Sequence, residues 1–212
     1  ERERYLLKKA ADLSKDQSYF ISSLSQEQLA SSLFPIGNFT KSEVRKMATD
    51  YGLPVDNKPE SQDFIAGGYQ ALIEAAPAGP ITDRQGNILG EHRGIPFYTI
   101  GQRKGLGISQ PEPQYVVEIN SQNNTIVVGS GEELYHNALI ASELNWIAIE
   151  TLEQPIEAEA RIRYRHKEAE ATVTPMDEDK VYVKFNQPQP AITPGQTVVF
   201  YQGDVVVGAG TI

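Results

Sequence analysis

The chain has 212 residues, of which 40% are hydrophobic and 22% charged, an ordinary globular balance with room for one large domain or two small ones. A formal net charge of −9 argues against a protein that coats nucleic acid indiscriminately, while leaving room for a local basic stripe that faces a specific RNA. Zero cysteines remove disulfides, thiolate metal sites and thiol nucleophiles from these residues.

Glu1-Arg2-Glu3-Arg4 reads as a chain already under way, the expected edge of a longer sequence. The front is expected to be helical. Ser25-Gln-Glu-Gln28 and Thr40-Lys-Ser-Glu43 both fit a capping box, a hydroxyl followed three residues later by Glu or Gln. After Thr40, the apolar residues Val44, Met47, Ala48 and Tyr51 recur at helical spacing, and Gly52 follows as a C-cap. Phe34-Pro-Ile-Gly37 forces a connection between the two boxes. Pro54 to Ser61 reads as a polar loop, and Tyr69 to Ala76 as a short helix ended by Pro77-Ala-Gly-Pro80.

From Pro80 the period changes. Asp83-Arg-Gln-Gly-Asn87 is a turn between short strands, and Ser121-Gln-Asn-Asn124 divides a hairpin of 115–120 and 125–129. The last third reads as six strands, at 139–147, 156–165, 169–175, 180–186, 196–202 and 205–212. Short strands without helices must hide their edges, so a small closed barrel is the natural architecture. The expected fold class is α+β, with a helical lead-in at 1–65, a small mixed domain at 66–135 and a six-stranded antiparallel β-barrel at 136–212.

Four stretches bear on chemistry. Lys15-Asp16-Gln17 precedes Ser18-Tyr-Phe20; it reads either as the charged first turn of a helix whose aromatics enter a core, or as a polar trio able to read a base edge. Gly101-Gln-Arg-Lys-Gly-Leu-Gly107 suggests phosphate, through exposed backbone N–H groups and the cations Arg103 and Lys104, and equally a hairpin with two solvated cations. It is not a Walker A loop. On a strand, Arg161, Arg163 and Arg165 would face one way at about 6.5–7 Å spacing, suited to successive phosphates or to a solvated face paired with Glu157 and Glu159. Asp177, Glu178 and Asp179 read as a solvated turn. His92, His136 and His166 show no zinc spacing, so no metal site is expected. No apolar run approaches the ~20 residues that span a bilayer and no signal peptide opens the chain, so no membrane contact is expected.

Several strings together resemble one family. Lys15-Asp-Gln-Ser-Tyr-Phe20, Leu33-Phe-Pro-Ile-Gly37 and Lys41-x-x-Val-Arg45 stand in the order found in bacterial tRNA-specific 2-thiouridylases. The same holds for Gly90-Glu-His-x-Gly94, Tyr98-Thr-Ile-Gly-Gln-Arg-Lys-Gly-Leu-Gly-Ile108, Tyr115-Val-Val117, Arg163-Tyr-Arg165, Thr193-Pro-Gly-Gln196 and Val199-Phe-Tyr201. The resemblance covers residues from about 4 to the last. It implies a cytoplasmic transferase whose N-terminal domain uses ATP and Mg to adenylate the wobble uridine. Sulfur carried on a protein then displaces AMP. This chain would begin within the helical tail of that domain, continue into a central domain and end in a barrel similar to those of translation factors. It would be inactive alone. The resemblance further implies that Lys15, Asp16 and Gln17 contact tRNA near the target base, with Arg163, Tyr164 and Gln196 as tRNA contacts in the barrel and the anticodon arm as the partner.

One departure stands out. The family usually carries a sulfur-transferring cysteine in a stretch resembling Ser-Gln-Asp-x-Cys-Phe, whereas here Asp63 runs directly into Phe64. No neighbouring hydroxyl can carry a persulfide. Three explanations stand: a short segment is missing near Asp63, sulfur arrives by an iron–sulfur cluster or sulfide bound elsewhere, or the homologue does not thiolate. A sulfur-carrier protein is a further expected partner of the active form. The competing readings are a non-catalytic tRNA-binding homologue and a translation-factor-like barrel that binds protein.

Overall fold

The computed structural model describes residues 4–54, 76–177 and 179–212. The helix expected at Tyr69–Ala76, the loop expected after Pro54, and the Asp63–Phe64 junction lie outside them but for their outermost residues. The chain divides into two compact units, one of residues 1–60, 138–187 and 194–212, the other of 61–137 and 188–193.

The first unit joins the lead-in to a barrel. Six strands close in the order β10-β5-β8-β7-β6-β9. They are β5 (Tyr135–Trp146), β6 (Ile156–Arg161), β7 (Ala169–Met176), β8 (Lys180–Pro190), β9 (Thr197–Gln202) and β10 (Val205–Thr211). Alternation makes the interior: Val181, Val183 and Phe185 are buried on β8 while Tyr182 and Lys184 face out. Ala171 on β7 stands between Ala158 of β6 and the bulky Phe185 of β8. The lead-in is fastened to the barrel by backbone. Lys9 N–H donates to Asp204 O at 2.7 Å, Val206 N–H to Leu7 O at 2.9 Å, and the Arg4 guanidinium donates to the carbonyls of Trp146 and Ile147. Leu7, Tyr19 and Leu29 of the lead-in share one core with Ile147, Val199, Tyr201 and Val206.

Both capping boxes form, at the starts of α1 (Gln26–Ala30) and α2 (Lys41–Asp50). Gly52 follows α2 at φ +65°, the left-handed conformation its lack of Cβ permits. Asp177 and Asp179 are exposed in the turn before β8, as expected, and Glu178 lies outside the described residues.

In the second unit a mixed sheet runs β2-β1-β4-β3, from β1 (Gly79–Thr82), β2 (Ile88–His92), β3 (Tyr115–Asn120) and β4 (Thr125–Gly129). Both expected hairpins form, and β1 pairs with β4 in parallel. Ile81, Tyr98, Leu106, Val116, Ile126 and Val128 make its core. His92 is fully committed to this unit: its Nδ1 accepts from Gly94 N–H and its Nε2–H donates to Asn124 O.

One expectation is corrected. The strand predicted over 156–165 ends at Arg161, and residues 163–166 form a turn closed by His166 N–H donating to Arg163 O at 3.0 Å. Arg161, Arg163 and Arg165 therefore do not form a row on one strand face. Ile162 is buried at the end of β6, which turns the chain before a second arginine can extend the ladder.

Candidate nucleic-acid interface

Lys15 closes a single 3-10 turn, Leu13–Lys15, started by Asp12, whose carboxylate accepts from Ser14 N–H. The chain then turns back at Gln17, where Phe20 N–H donates to Gln17 O. The helix reading of this stretch does not hold. Tyr19 enters the core, but Phe20 stays 54% exposed, and no helix runs from Lys15.

Asp16 points inward, with 5% exposure. Its carboxylate accepts from Ala10 N–H at 2.9 Å and from the Ser18 hydroxyl at 2.6 Å, with the Arg161 guanidinium 3.9 Å away. A buried carboxylate is tolerated when its lone pairs are met and a cation stands near. Arg161 in turn donates to Tyr164 O and lies 3.9 Å from Glu168, which pairs with Lys9. Lys9 is itself set over the Tyr201 ring at 4.4 Å. This network ties residues 9–18 to the turn after β6. Glu157 and Glu159 do not pair with Arg161; Glu157 accepts from Thr172, and Glu159 stands 3.9 Å from Lys9.

The network brings two distant motifs onto one face. Gln17 Nε2 donates to the Tyr164 hydroxyl at 3.3 Å across 147 residues of sequence. Phe20 lies against Tyr164 with ring centroids 4.4 Å apart, and Tyr19 is 6.4 Å from Tyr164. The Tyr19 hydroxyl donates to Thr197 O, which places Gln196, exposed one residue earlier, beside the same cluster. Lys15, Gln17, Phe20 and Gln196 are exposed, while Arg163 and Tyr164 are half-buried. Burial pulls the Arg163 guanidinium below its ordinary value, a shift opposed by Tyr19. Arginine stays protonated nonetheless, so this is a partly desolvated fixed cation. The arrangement offers a cation, an amide and a cluster of tilted aromatic rings, residue types suited to a phosphate and a splayed base.

Arg103 and Lys104 belong to the second unit. Gly101, Gly105 and Gly107 take φ of +85°, +76° and +70°, so the loop turns repeatedly instead of pairing as a hairpin. Gln102 braces it, accepting from Thr99 N–H at 3.2 Å and donating to Lys104 O at 2.9 Å. Both cations are exposed at its tip.

Sequence reasoning gave Ser18 and Phe20 no role of their own and read Arg161 as a phosphate contact or a solvated charge, whereas it faces Asp16 and Tyr164 O. An exposed aromatic and a buried ion network look in sequence like a core residue and a solvated charge. Only the order of the motif Lys15–Phe20 pointed to Ser18 and Phe20.

Residues 136–212 match the aminomethyltransferase beta-barrel domain, 64–130 the tRNA methyl transferase PRC-barrel domain and 1–66 the tRNA methyl transferase HUP domain. The tRNA-specific 2-thiouridylase MnmA of Symbiobacterium thermophilum is 49% identical over 217 residues, covering 99% of this chain and 56% of that protein. MnmA 1 of Caldanaerobacter subterraneus subsp. tengcongensis is 53% identical over 220 residues, covering 100% of this chain and 60% of its own length. The MnmA of Halothermothrix orenii is 47% identical, with 99% of this chain and 61% of that protein covered. The chain thus spans about 60% of the length of the curated relatives it matches. With consecutive family models running from the first residue to the last and relatives near half identity throughout, this chain belongs to the tRNA-specific 2-thiouridylase family.

Proposed function

We propose that this chain is the tRNA-gripping portion of an ATP-dependent sulfurtransferase that forms 2-thiouridine at the tRNA wobble position through an adenylated uridine. The observation that carries the reading is the meeting of Gln17 and Phe20 with Tyr164, beside Arg163 and next to the Tyr19–Thr197 bond. Family membership supplies the substrate class. Arg163 and Lys15 meet phosphates of the anticodon arm, Gln17 and Tyr164 stand toward the target base, and Asp16 acts from behind by fixing its neighbours. Arg103 and Lys104 offer a second phosphate contact from the glycine-rich loop.

The described residues contain no group of His, Cys, Asp or Glu able to hold a metal ion, and the chain has no cysteine. A cluster needs thiolate ligands, which this chain lacks, and its glycine-rich loop is not a Walker A loop, so the reading looks elsewhere for ATP, Mg and any iron–sulfur cluster. Their sites, and the docking of a sulfur-carrier protein, belong to the length of the relatives that this chain does not cover. Alone the chain is inactive. Alignments run over as many as 220 positions against 212 residues here, so some relatives carry residues this chain lacks. No described helix is long and apolar enough to cross a membrane, and the proposed tRNA substrate supports a cytoplasmic location.

The absence of cysteine favours one second reading, a tRNA-binding homologue without thiolation. The test uses anticodon-arm RNA and the full-length protein. Arg163→Ala weakens binding about tenfold with RNAs of any sequence, since a phosphate contact positions without reading. Gln17→Ala lowers thiolation more than affinity. Unchanged affinity in Arg163→Ala removes the proposed grip. Normal binding without thiolation under any condition selects the non-catalytic binder.

A further inference from the structure

We propose that Arg161 is the positioning residue of the RNA interface: it holds Gln17 in register with Tyr164 and does not itself meet a phosphate. The inference rests on the RNA-binding reading above and adds to it the group that sets its geometry. Gln17 and Tyr164 belong to segments 147 residues apart, and their side chains touch through one amide-to-hydroxyl bond at 3.3 Å. A neutral hydrogen bond of this kind, near solvent, is too weak to fix two loops by itself.

Arg161 meets both segments at once. From the end of β6 its Nη2 donates to Tyr164 O, which shapes the turn that carries the tyrosine. Its Nη1 stands 3.9 Å from Oδ2 of Asp16, the residue before Gln17, and 3.9 Å from Oε1 of Glu168. The guanidinium carbon lies 5.6 Å from the ring centres of both Tyr19 and Tyr164. A planar fork serves a carbonyl, two carboxylates and two rings from one head, which a point-charge ammonium does not. The carboxylate partners are themselves braced. The Ser18 hydroxyl that donates to Asp16 lies 3.3 Å from the hydroxyl of the fully buried Tyr201. Glu168 accepts from Lys9, whose ammonium sits over the same Tyr201 ring.

These surroundings also remove Arg161 from direct contact with the RNA backbone. Its side chain is 16% exposed, and the Asp16 and Glu168 carboxylates beside its head repel an arriving anion. With Arg161 and Lys9 matched by those carboxylates, the cluster adds little to long-range attraction for RNA.

The experiment measures binding of anticodon-arm RNA to the full-length protein over a salt series, with Gln17→Ala and Tyr164→Phe made singly and together. In the parent the two changes are coupled, and the double variant binds at least about threefold more tightly than the product of the single effects predicts. Arg161→Lys keeps the charge and loses the fork; it weakens binding about tenfold and reduces that coupling to within about 1.5-fold. Arg161→Met weakens binding to a similar extent and leaves the salt slope unchanged, whereas loss of a phosphate contact lowers its magnitude by about 0.7–0.9. A side chain serving stability alone would lower the melting temperature and leave the affinity and coupling of the folded protein intact, and that result overturns the positioning role. So does parent-like binding by Arg161→Lys, or a slope reduced by about one in Arg161→Met, which makes Arg161 a phosphate contact. Independent effects of Gln17→Ala and Tyr164→Phe in the parent overturn it too, with no Arg161 variant required to fold. If Arg163→Ala still weakens binding in these cases, the RNA-binding reading survives and the positioning role alone falls. Failure of the parent to bind the RNA removes both.

Discussion

His166 occupies the turn that follows β6, with its Nδ1 buried and lacking a hydrogen-bond partner. Burial lowers its pKa from the ordinary 6.5, the backbone of Lys167 opposes the shift, and the charges of Arg163 and Arg161 add to it. The side chain is therefore neutral in the folded protein at neutral pH, as suits a ring lodged among guanidinium groups. Below about 6.5 the unfolded chain takes up a proton that the folded chain resists. Stability then falls as pH drops from that value towards the folded pKa, and levels off below it. Thermal melts from pH 8 to pH 5 should show His166→Gln losing part of the acid-side decline while matching the parent above about pH 7. Parallel curves over the whole range would mean that His166 titrates alike in both states. The same turn bears on the phosphate contact proposed for Arg163: its charge is already partly stripped of water, so less hydration would be lost on binding an anion.

Strands β5 and β10 close the barrel at a point that only glycine allows. A Cβ on Gly208 would stand 2.5 Å from Trp146 Cε3 and 2.8 Å from Asn145 O. Trp146 cannot retreat freely, because its ring stacks on Phe200 with centroids 5.9 Å apart. Gly208→Ala is expected to cost about 1–3 kcal/mol, as overpacking does. Because Asn145 also holds Ser22 and Leu24, the same change should weaken RNA binding through the displaced turn at 19–23. A melting temperature and an affinity both equal to the parent's would show that the seam is slack. Helix α2 behaves differently. Its capping box and apolar stripe are fully legible in sequence, yet none of its residues is buried among the described ones, since a stripe reveals a face and not what covers it.

For the whole molecule, a net charge of −9 sets the terms of association with RNA. The proposed contacts are few, so affinity comes from local cations working against a repulsive background, and it should decay steeply with salt. Each phosphate contact adds about 0.7–0.9 to the slope of log K against log salt. Three contacts give a slope between about −2 and −3, and Arg163→Ala should lower its magnitude by about one. A flat salt response would indicate binding through stacking and hydrogen bonds alone. How far sequence alone reaches differs by feature. The capping boxes, both hairpins and the six barrel strands were legible because each is a local pattern, set by side-chain period and turn chemistry within a few residues. Motif order made the family legible too, since long strings such as Gly101 to Gly107 are specific in themselves. Tertiary structure alone decided the rest. It ended β6 at Arg161, sent Asp16 inward to Arg161 and Ser18, and left Phe20 exposed against Tyr164. Those outcomes turn on which charges lose water together and which rings find a partner. Arg161 and Tyr164 lie more than a hundred residues from Asp16, Gln17 and Phe20 in the chain, and no local pattern carries that information.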